Sequence, residues 1–287
     1  MLPDFLASAR RLAVLTGAGC STRSGIPDYR SPGGAWTRHK PIYYSAFVRS
    51  ADVRRFYWAR SFRGWPRFDA ARPNAAHRAL AELEGHGRVH QLITQNVDDL
   101  HPEAGSRAVV QLHGRNRVVI CLECRAELPR EAMQERLGEL NSEWLARAPW
   151  HTLDADEADF APDGDANVAH DVVGAFRVPD CDRCGGVLKP AVVFFGESVP
   201  PEKVAYAMRR VDEADALLVV GSLLTVWSGF RFVKRAHDRG LPIAIVNIGP
   251  TRGDELATLK VERECGEALE EALRPIRPTA AAASPSG

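Results

Sequence analysis

Six short apolar runs set the strongest limit on this fold: LAVLT (12–16), VHQLIT (89–94), AVVQL (108–112), VVFF (192–195), ALLVV (216–220) and PIAIV (242–246). Runs without polar alternation belong to strands covered on both faces, and such strands pair mostly in parallel. Parallel neighbours need crossover connections, so helices must lie between them. The stretch after Pro73 meets that need: Asn74 stands where a helix is capped, Ala76, Leu80 and Leu83 recur at helical spacing, and Gly85 stops the pattern. Further helices are expected over 201–214 and 227–240. The alternation predicts an α/β fold with a doubly wound parallel sheet.

Two stretches break the rhythm. Residues 31–73 hold SPGGAW and the amphipathic VRRFYWARSFRGW, which reads as a lid and a helical insertion; residues 114–189 hold four cysteines and an acidic loop around DADEADFAPDGDA. The main domain is then discontinuous, formed by 1–30, 74–113 and 190–274, and residues 275–287 have the composition of a disordered tail. Lys plus Arg equals Asp plus Glu at 37 each, so no overall field favours nucleic acid or a membrane surface. The apolar runs fall short of the roughly 20 residues a spanning helix needs. With a strand beginning at Leu12, no room is expected for a targeting segment, and the expected location is cytoplasmic.

Cys121-x-x-Cys124 and Cys181-x-x-Cys184 stand 56 residues apart. Four thiolates in two such knuckles suit one tetrahedral structural zinc, with a pair of redox disulfides as the alternative. A strand running into GAG at 17–19 resembles a dinucleotide-binding turn but lacks the GxGxxG spacing, so a ligand-free glycine turn stays open. TQNVDDLH (94–101) and LHG (112–114) end other strands at the same edge. Gln95, Asn96 and Asp98 suit ribose hydroxyls or an amide, and His113 could be a general base or a structural histidine.

The combination resembles a known family. GAGCSTRSGIPDYR, TQNVDDLH, LHG, the two cysteine pairs, KPAVVFFGE, LLVVGS and IVNIGP occur in this order in the sirtuins, NAD-dependent protein lysine deacylases, and the likeness covers about residues 5–272. YWARSFRGWP with NIGPTRGDELATLKV looks most like the branch holding a mitochondrial human sirtuin and its bacterial relatives.

The resemblance implies a Rossmann-like large domain, a small zinc module, and a cleft that NAD and an acyl-lysine protein enter from opposite ends. It implies that Gly17, Ala18 and Gly19 hold the pyrophosphate and that Asp28, Tyr29 and Arg30 belong to a lid over NAD. It places Gln95, Asn96 and Asp98 at the nicotinamide and its ribose, Gly221 and Ser222 near ribose and phosphates, Asn247 at the adenosine ribose, and Cys265 at the adenine. Phe195, Gly196 and Glu197 match the loop that takes the substrate peptide as an added strand, while Phe194 reads as core packing. In the family mechanism the acyl oxygen attacks C1′ of the nicotinamide ribose and expels nicotinamide. His113 is the matching general base for the ribose hydroxyls, and the products are free lysine and acyl-ADP-ribose.

Tyr57 and Arg60, three apart on one helix face, match a pair that binds the acyl carboxylate in sirtuins acting on succinyl-type groups. A structural Arg60 and a plain acetyl pocket are the alternative. Leu223 stands where the family usually has Ser, and Ala191 where an Asp is frequent in this branch. A mono-ADP-ribosyltransferase or a weakly catalytic NAD-binding module are the competing functions.

Overall fold

The structure is a computed structural model that describes residues 1–29, 41–147, 161–166 and 170–277. Among the described residues nine strands form two sheets: β1 (Leu12–Thr16), β2 (Val89–Thr94), β3 (Val109–Gln111), β4 (Gly114–Cys121), β5 (Glu127–Pro129), β6 (Leu188–Val192), β7 (Ala216–Val220), β8 (Ile243–Val246) and β9 (Leu259–Val261). The larger sheet has the order β3-β2-β1-β7-β8-β9, and every neighbouring pair is parallel. The chain winds outward from β1 to β3, then returns to the centre and winds the other way. The reversal lies between β1 and β7, where open α/β sheets collect ligands.

Ten helices are described: α1 (Leu2–Ser8), α2 (Tyr44–Arg49), α3 (Ala51–Ala70), α4 (Ala75–Gly85), α5 (Leu100–Glu103), α6 (Arg130–Leu140), α7 (Ser142–Arg147), α8 (Pro201–Asp212), α9 (Trp227–Asp238) and α10 (Cys265–Leu273). Alternate residues of β1 feed two cores. Leu12 and Val14 pack with α1, α4 and α10, and Ala13 and Leu15 pack with α8 and α9. Asn74 caps α4 as expected, its side chain accepting from Ala76 N at 2.8 Å.

The smaller sheet has the order β5-β4-β6 and is antiparallel. It packs with α3 and α6 around Trp58, Met133, Leu137 and Phe176. Here the expected parallel strand over 192–195 is corrected. Only Val192 is in a strand, paired antiparallel with Gly114 in β6, past the boundary expected at 189. The apolar run is buried for another reason: Val192 and Phe194 fill the small module's core. The start of the expected tail is also held, since Arg277 Nε donates to Glu82 at 2.7 Å and Ile276 packs on the main core; residues 278–287 lie outside the described ones. Among the described residues, no helix is long and apolar enough to cross a membrane.

Candidate functional site

A cavity of about 850 Å³ opens at the C-terminal ends of β1, β2, β7 and β8, with its far wall from the small module. Its floor is the 17–19 turn. Gly17 N donates to Val220 O at 3.1 Å and Gly19 N to Gly221 O at 2.9 Å, so the ends of β1 and β7 are tied together. A Cβ on Gly17 would lie 2.8 Å from Ser222 Cβ, and one on Gly221, at φ +61°, 2.2 Å from Cys20 N. The glycines therefore permit this approach and leave at most the Ala18 methyl between backbone and cavity. Gly17 is buried and the Gly17 and Gly19 N–H groups are taken by the Val220 and Gly221 carbonyls, so what the turn offers a pyrophosphate is the close approach of its half-buried Ala18–Gly19 backbone.

The loop after β2 supplies the second wall. Gln95 Nε2 donates to Ser222 Oγ at 2.9 Å, and Asn96 Nδ2 to Gly17 O at 3.1 Å and Ser21 Oγ at 3.0 Å. Ser21 Oγ in turn donates to Asp98 at 2.7 Å. Burial pushes the Asp98 carboxyl above its ordinary value, while the Ser21 hydroxyl and Leu100 N–H oppose the shift.

His113 follows β3, half-buried at the cavity wall. Its Nδ1 lies 2.9 Å from Gln95 O and its Nε2 2.8 Å from Ser228 Oγ. A carbonyl only accepts, so Nδ1 carries the proton and Nε2 keeps its lone pair. Burial pushes His113 down to about 4, with Lys203 and Arg231 acting in the same sense and the Gln95 carbonyl opposing. The imidazole is thus neutral at pH 7 and Nε2 is a free base.

Beneath the turn, Cys20, His77 and His101 form a buried cluster whose donor atoms lie within 4.8 Å of one another. His77 accepts from Asn74 N at 3.3 Å and faces Ser21 Oγ at 3.4 Å, while His101 Nε2 lies 2.9 Å from Thr16 Oγ1. These bonds brace the floor of the cavity from below.

Every site residue expected from the sequence, apart from Arg30 and the four zinc-pattern cysteines, lines this one cavity. Arg30 lies outside the described residues. Tyr29 meets the Phe195 ring edge-on at 6.5 Å. Asn247 follows β8 directly, and Cys265 opens α10, which Glu264 caps by accepting from Gly266 N and Glu267 N. Phe194 packs against Phe47 and Tyr57 as expected and also lines the cavity. Tyr57 and Arg60 both line it, but Arg60 is answered by Asp165 at 3.7 Å, and its Nε donates to Ala166 O at 3.2 Å. Burial pushes Asp165 well up and Asp163 adds to it, against the pull of Arg60 and Arg130. Leu223 lines the cavity beside Ser222. Nothing in the structure explains Ala191.

Sequence reasoning missed Ser21, Ser228 and Asp165. Ser21 was in view within GAGCS, two residues past the turn; Ser228 and Asp165 sit in segments without a motif.

The four expected zinc ligands converge between β4 and the turn before β6. Cys121 Sγ lies 3.5 Å from Cys184 Sγ and Cys124 Sγ 3.7 Å from Cys181 Sγ. All are free, so the disulfide alternative is set aside. The edge of a tetrahedron with zinc–sulfur bonds of about 2.3 Å is about 3.8 Å, so the donor set fits zinc.

A model of the Sir2 family matches residues 17–228. An NAD-dependent protein deacetylase 2 from Bradyrhizobium diazoefficiens is 55% identical over 93% of this chain and 95% of that protein. The human NAD-dependent protein lipoamidase sirtuin-4, mitochondrial, is 52% identical over 93% of this chain and 83% of that protein. A solved Sir2 homologue in complex with NAD is 32% identical at a TM-score of 0.72, covering 96% of this chain and 93% of that one. With the fold, the cavity and the four-thiol cluster in agreement, the chain belongs to the Sir2 family, the sirtuins.

Proposed function

We propose that this protein is an NAD-dependent protein lysine deacylase in which His113 Nε2 is the general base. The observation that carries the reading is the fixed tautomer of His113. The Gln95 carbonyl holds the proton on Nδ1, so Nε2 of this cavity-lining residue is unprotonated at neutral pH and accepts from Ser228 Oγ at 2.8 Å. Bound NAD supplies the activated ribose that accepts the acyl group. Gly17, Ala18, Gly19, Gly221 and Ser222 bind its phosphates and ribose, and Asn247 and Cys265 bind the adenosine end. Asn96 and Asp98, tied to each other through Ser21, orient the nicotinamide ribose.

Asp28, Tyr29 and Arg30 close over the site and exclude water. An acyl-lysine segment of a partner protein lies along Phe195, Gly196 and Glu197, and its acyl group reaches Tyr57 and Arg60. The chain divides into the NAD-binding half and the zinc-holding module, with β6 belonging to the module. No nucleic acid is bound. The cytoplasm suits the reading, because its reducing poise keeps the four zinc-ligating cysteines as thiols.

The test is a panel of acetyl-, lipoyl- and glutaryl-lysine peptides incubated with the purified protein and NAD. Nicotinamide should appear in equal amount to free lysine for at least one peptide. Nicotinamide release that never depends on peptide would overturn the reading.

A further inference from the structure

The loop over 193–197 is held from beneath by a buried charge, Lys189, the first residue of the KPAVVFFGE run, to which the sequence assigned no role. Lys189 lies in β6 with its side chain 3% exposed, opposite Ile120 and next to the Cys121–Leu188 pair. Its ammonium has three protons and meets three acceptors: Pro190 O at 3.3 Å, Val192 O, and Glu197 Oε2 at 3.0 Å. The Phe194 ring lies over the charge at 4.5 Å and the Tyr44 ring at 5.7 Å.

Glu197 also folds the loop onto itself. Its Oε2 accepts from Phe194 N at 2.8 Å, and its own N–H donates to Phe194 O at 3.0 Å across Gly196, which has φ +77°. The loop is fixed at other points by Val193 N to His113 O at 2.7 Å and by Tyr44 N to Phe195 O at 2.9 Å. The clamp therefore reaches from β6, through Glu197, to the residue whose neighbour in the chain meets the base.

A buried ion pair is a poor device for stability alone, because apolar side chains of similar volume serve as well or better. Its strength is that it admits one geometry. We infer that Lys189 is a positioning residue for the acyl-peptide, holding Glu197 and the 193–197 loop in the shape that receives the added strand. The inference rests on the deacylase reading and concerns only the peptide side of the cavity.

The experiment measures steady-state kinetics together with binding of a labelled acyl-peptide by anisotropy, in wild type and in Lys189→Met, Lys189→Arg and Glu197→Gln. Lys189→Met should raise the peptide KM and Kd about tenfold or more while kcat and the NAD KM stay within about threefold. Lys189→Arg should recover most of the loss. Glu197→Gln should weaken peptide binding in the same way, and the double variant should be no worse than the poorer single one, since both break one contact.

Unchanged peptide binding in a folded Lys189→Met would overturn the inference. So would a proportional loss in every parameter, which marks a merely structural residue. If Lys189→Met does not fold, Glu197→Gln without a binding defect overturns it equally. Failure of the deacylase reading looks different: wild type itself would neither bind nor turn over any acyl-peptide.

Discussion

The six-stranded sheet buries every side chain of β1, β7 and β8, all of them apolar except Thr16, whereas the three-stranded sheet beside it keeps Lys189, Asn116 and Cys121 at buried positions and closes on four thiols. The helices on the small sheet continue the contrast. Arg130 is fully buried between the Trp58 and Trp65 rings, at 5.5 and 4.7 Å, and Arg60 pairs with Asp165. The large half draws its stability from area removed from water, which asks for no particular geometry. The small half depends on contacts that work only when every partner is in place. A cavity between the two therefore has a rigid floor that presents backbone and a wall that is set by specific bonds.

The largest effect expected from this contrast follows removal of the metal. Structural zinc in such knuckles contributes about 10–16 kcal/mol of apparent binding energy that is also folding energy. Chelation should strip hydrogen-exchange protection from β4, β5 and β6 while amides of β1, β7 and β8 keep theirs. Equal loss in both sheets would show that the two halves are one cooperative unit.

Next comes His113→Ala, on the rigid side. Loss of a general base costs roughly 100- to 10,000-fold in rate, and the melting temperature should barely move, since the side chain is half-buried and its bonds among the described residues are those to Gln95 and Ser228. A folded variant with near-wild-type turnover would remove His113 from the mechanism.

Acid should act on the floor of the site before the wall. Burial, with Arg78 adding, pushes His77 from 6.5 down to about 4, and burial pushes His101 well below its ordinary value. An imidazole whose folded pKa is depressed stays neutral in the native state while the unfolded chain takes up a proton. Its contribution is full above about pH 6.5 and is lost as pH falls towards 4. For His77 the loss is on the order of 3 kcal/mol. Urea midpoints at pH 7 and 4.5 test this, and equal midpoints would contradict the buried neutral state. His113 stays unprotonated over the same window, so it should impose no fall in kcat/KM between pH 7 and 5.

The smallest effect is one of discrimination. Arg60→Met should reduce turnover of glutaryl-lysine about tenfold more than turnover of acetyl-lysine, the scale of one charge-assisted hydrogen bond. Equal losses on both substrates would mean that Arg60 serves only Asp165 and the 161–166 segment.

The same division governed what the sequence could reveal. β1, β7 and β8 were legible because burial on both faces writes a nearly unbroken apolar run, and β2 through the Leu92–Ile93 pair that follows His90 and Gln91. β9, with Lys260 at its centre and all three residues half-exposed, writes none, although it completes the sheet. GRNRVV gave no strand signal for β4 because Asn116 is buried through a bond to Asp163 O rather than through apolarity. VVFF misled for the converse reason, being apolar to fill the small core rather than to pair in parallel. Cavity residues carried by contiguous motifs were found. Asp165 and Ser228 act through partners distant in the chain, and spacing along a sequence does not record such pairs; Lys189 meets Glu197 within the KPAVVFFGE run, but nothing in that run records that its charge is buried.

The most direct test of the central claim is the mass of the nucleotide product. With NAD and an acetyl-lysine peptide, wild type should yield acyl-ADP-ribose and unmodified lysine peptide, and His113→Ala should yield neither. An ADP-ribosyl mass added to protein or peptide, with the acyl group still on its lysine, would contradict the account and assign the same cavity to group transfer.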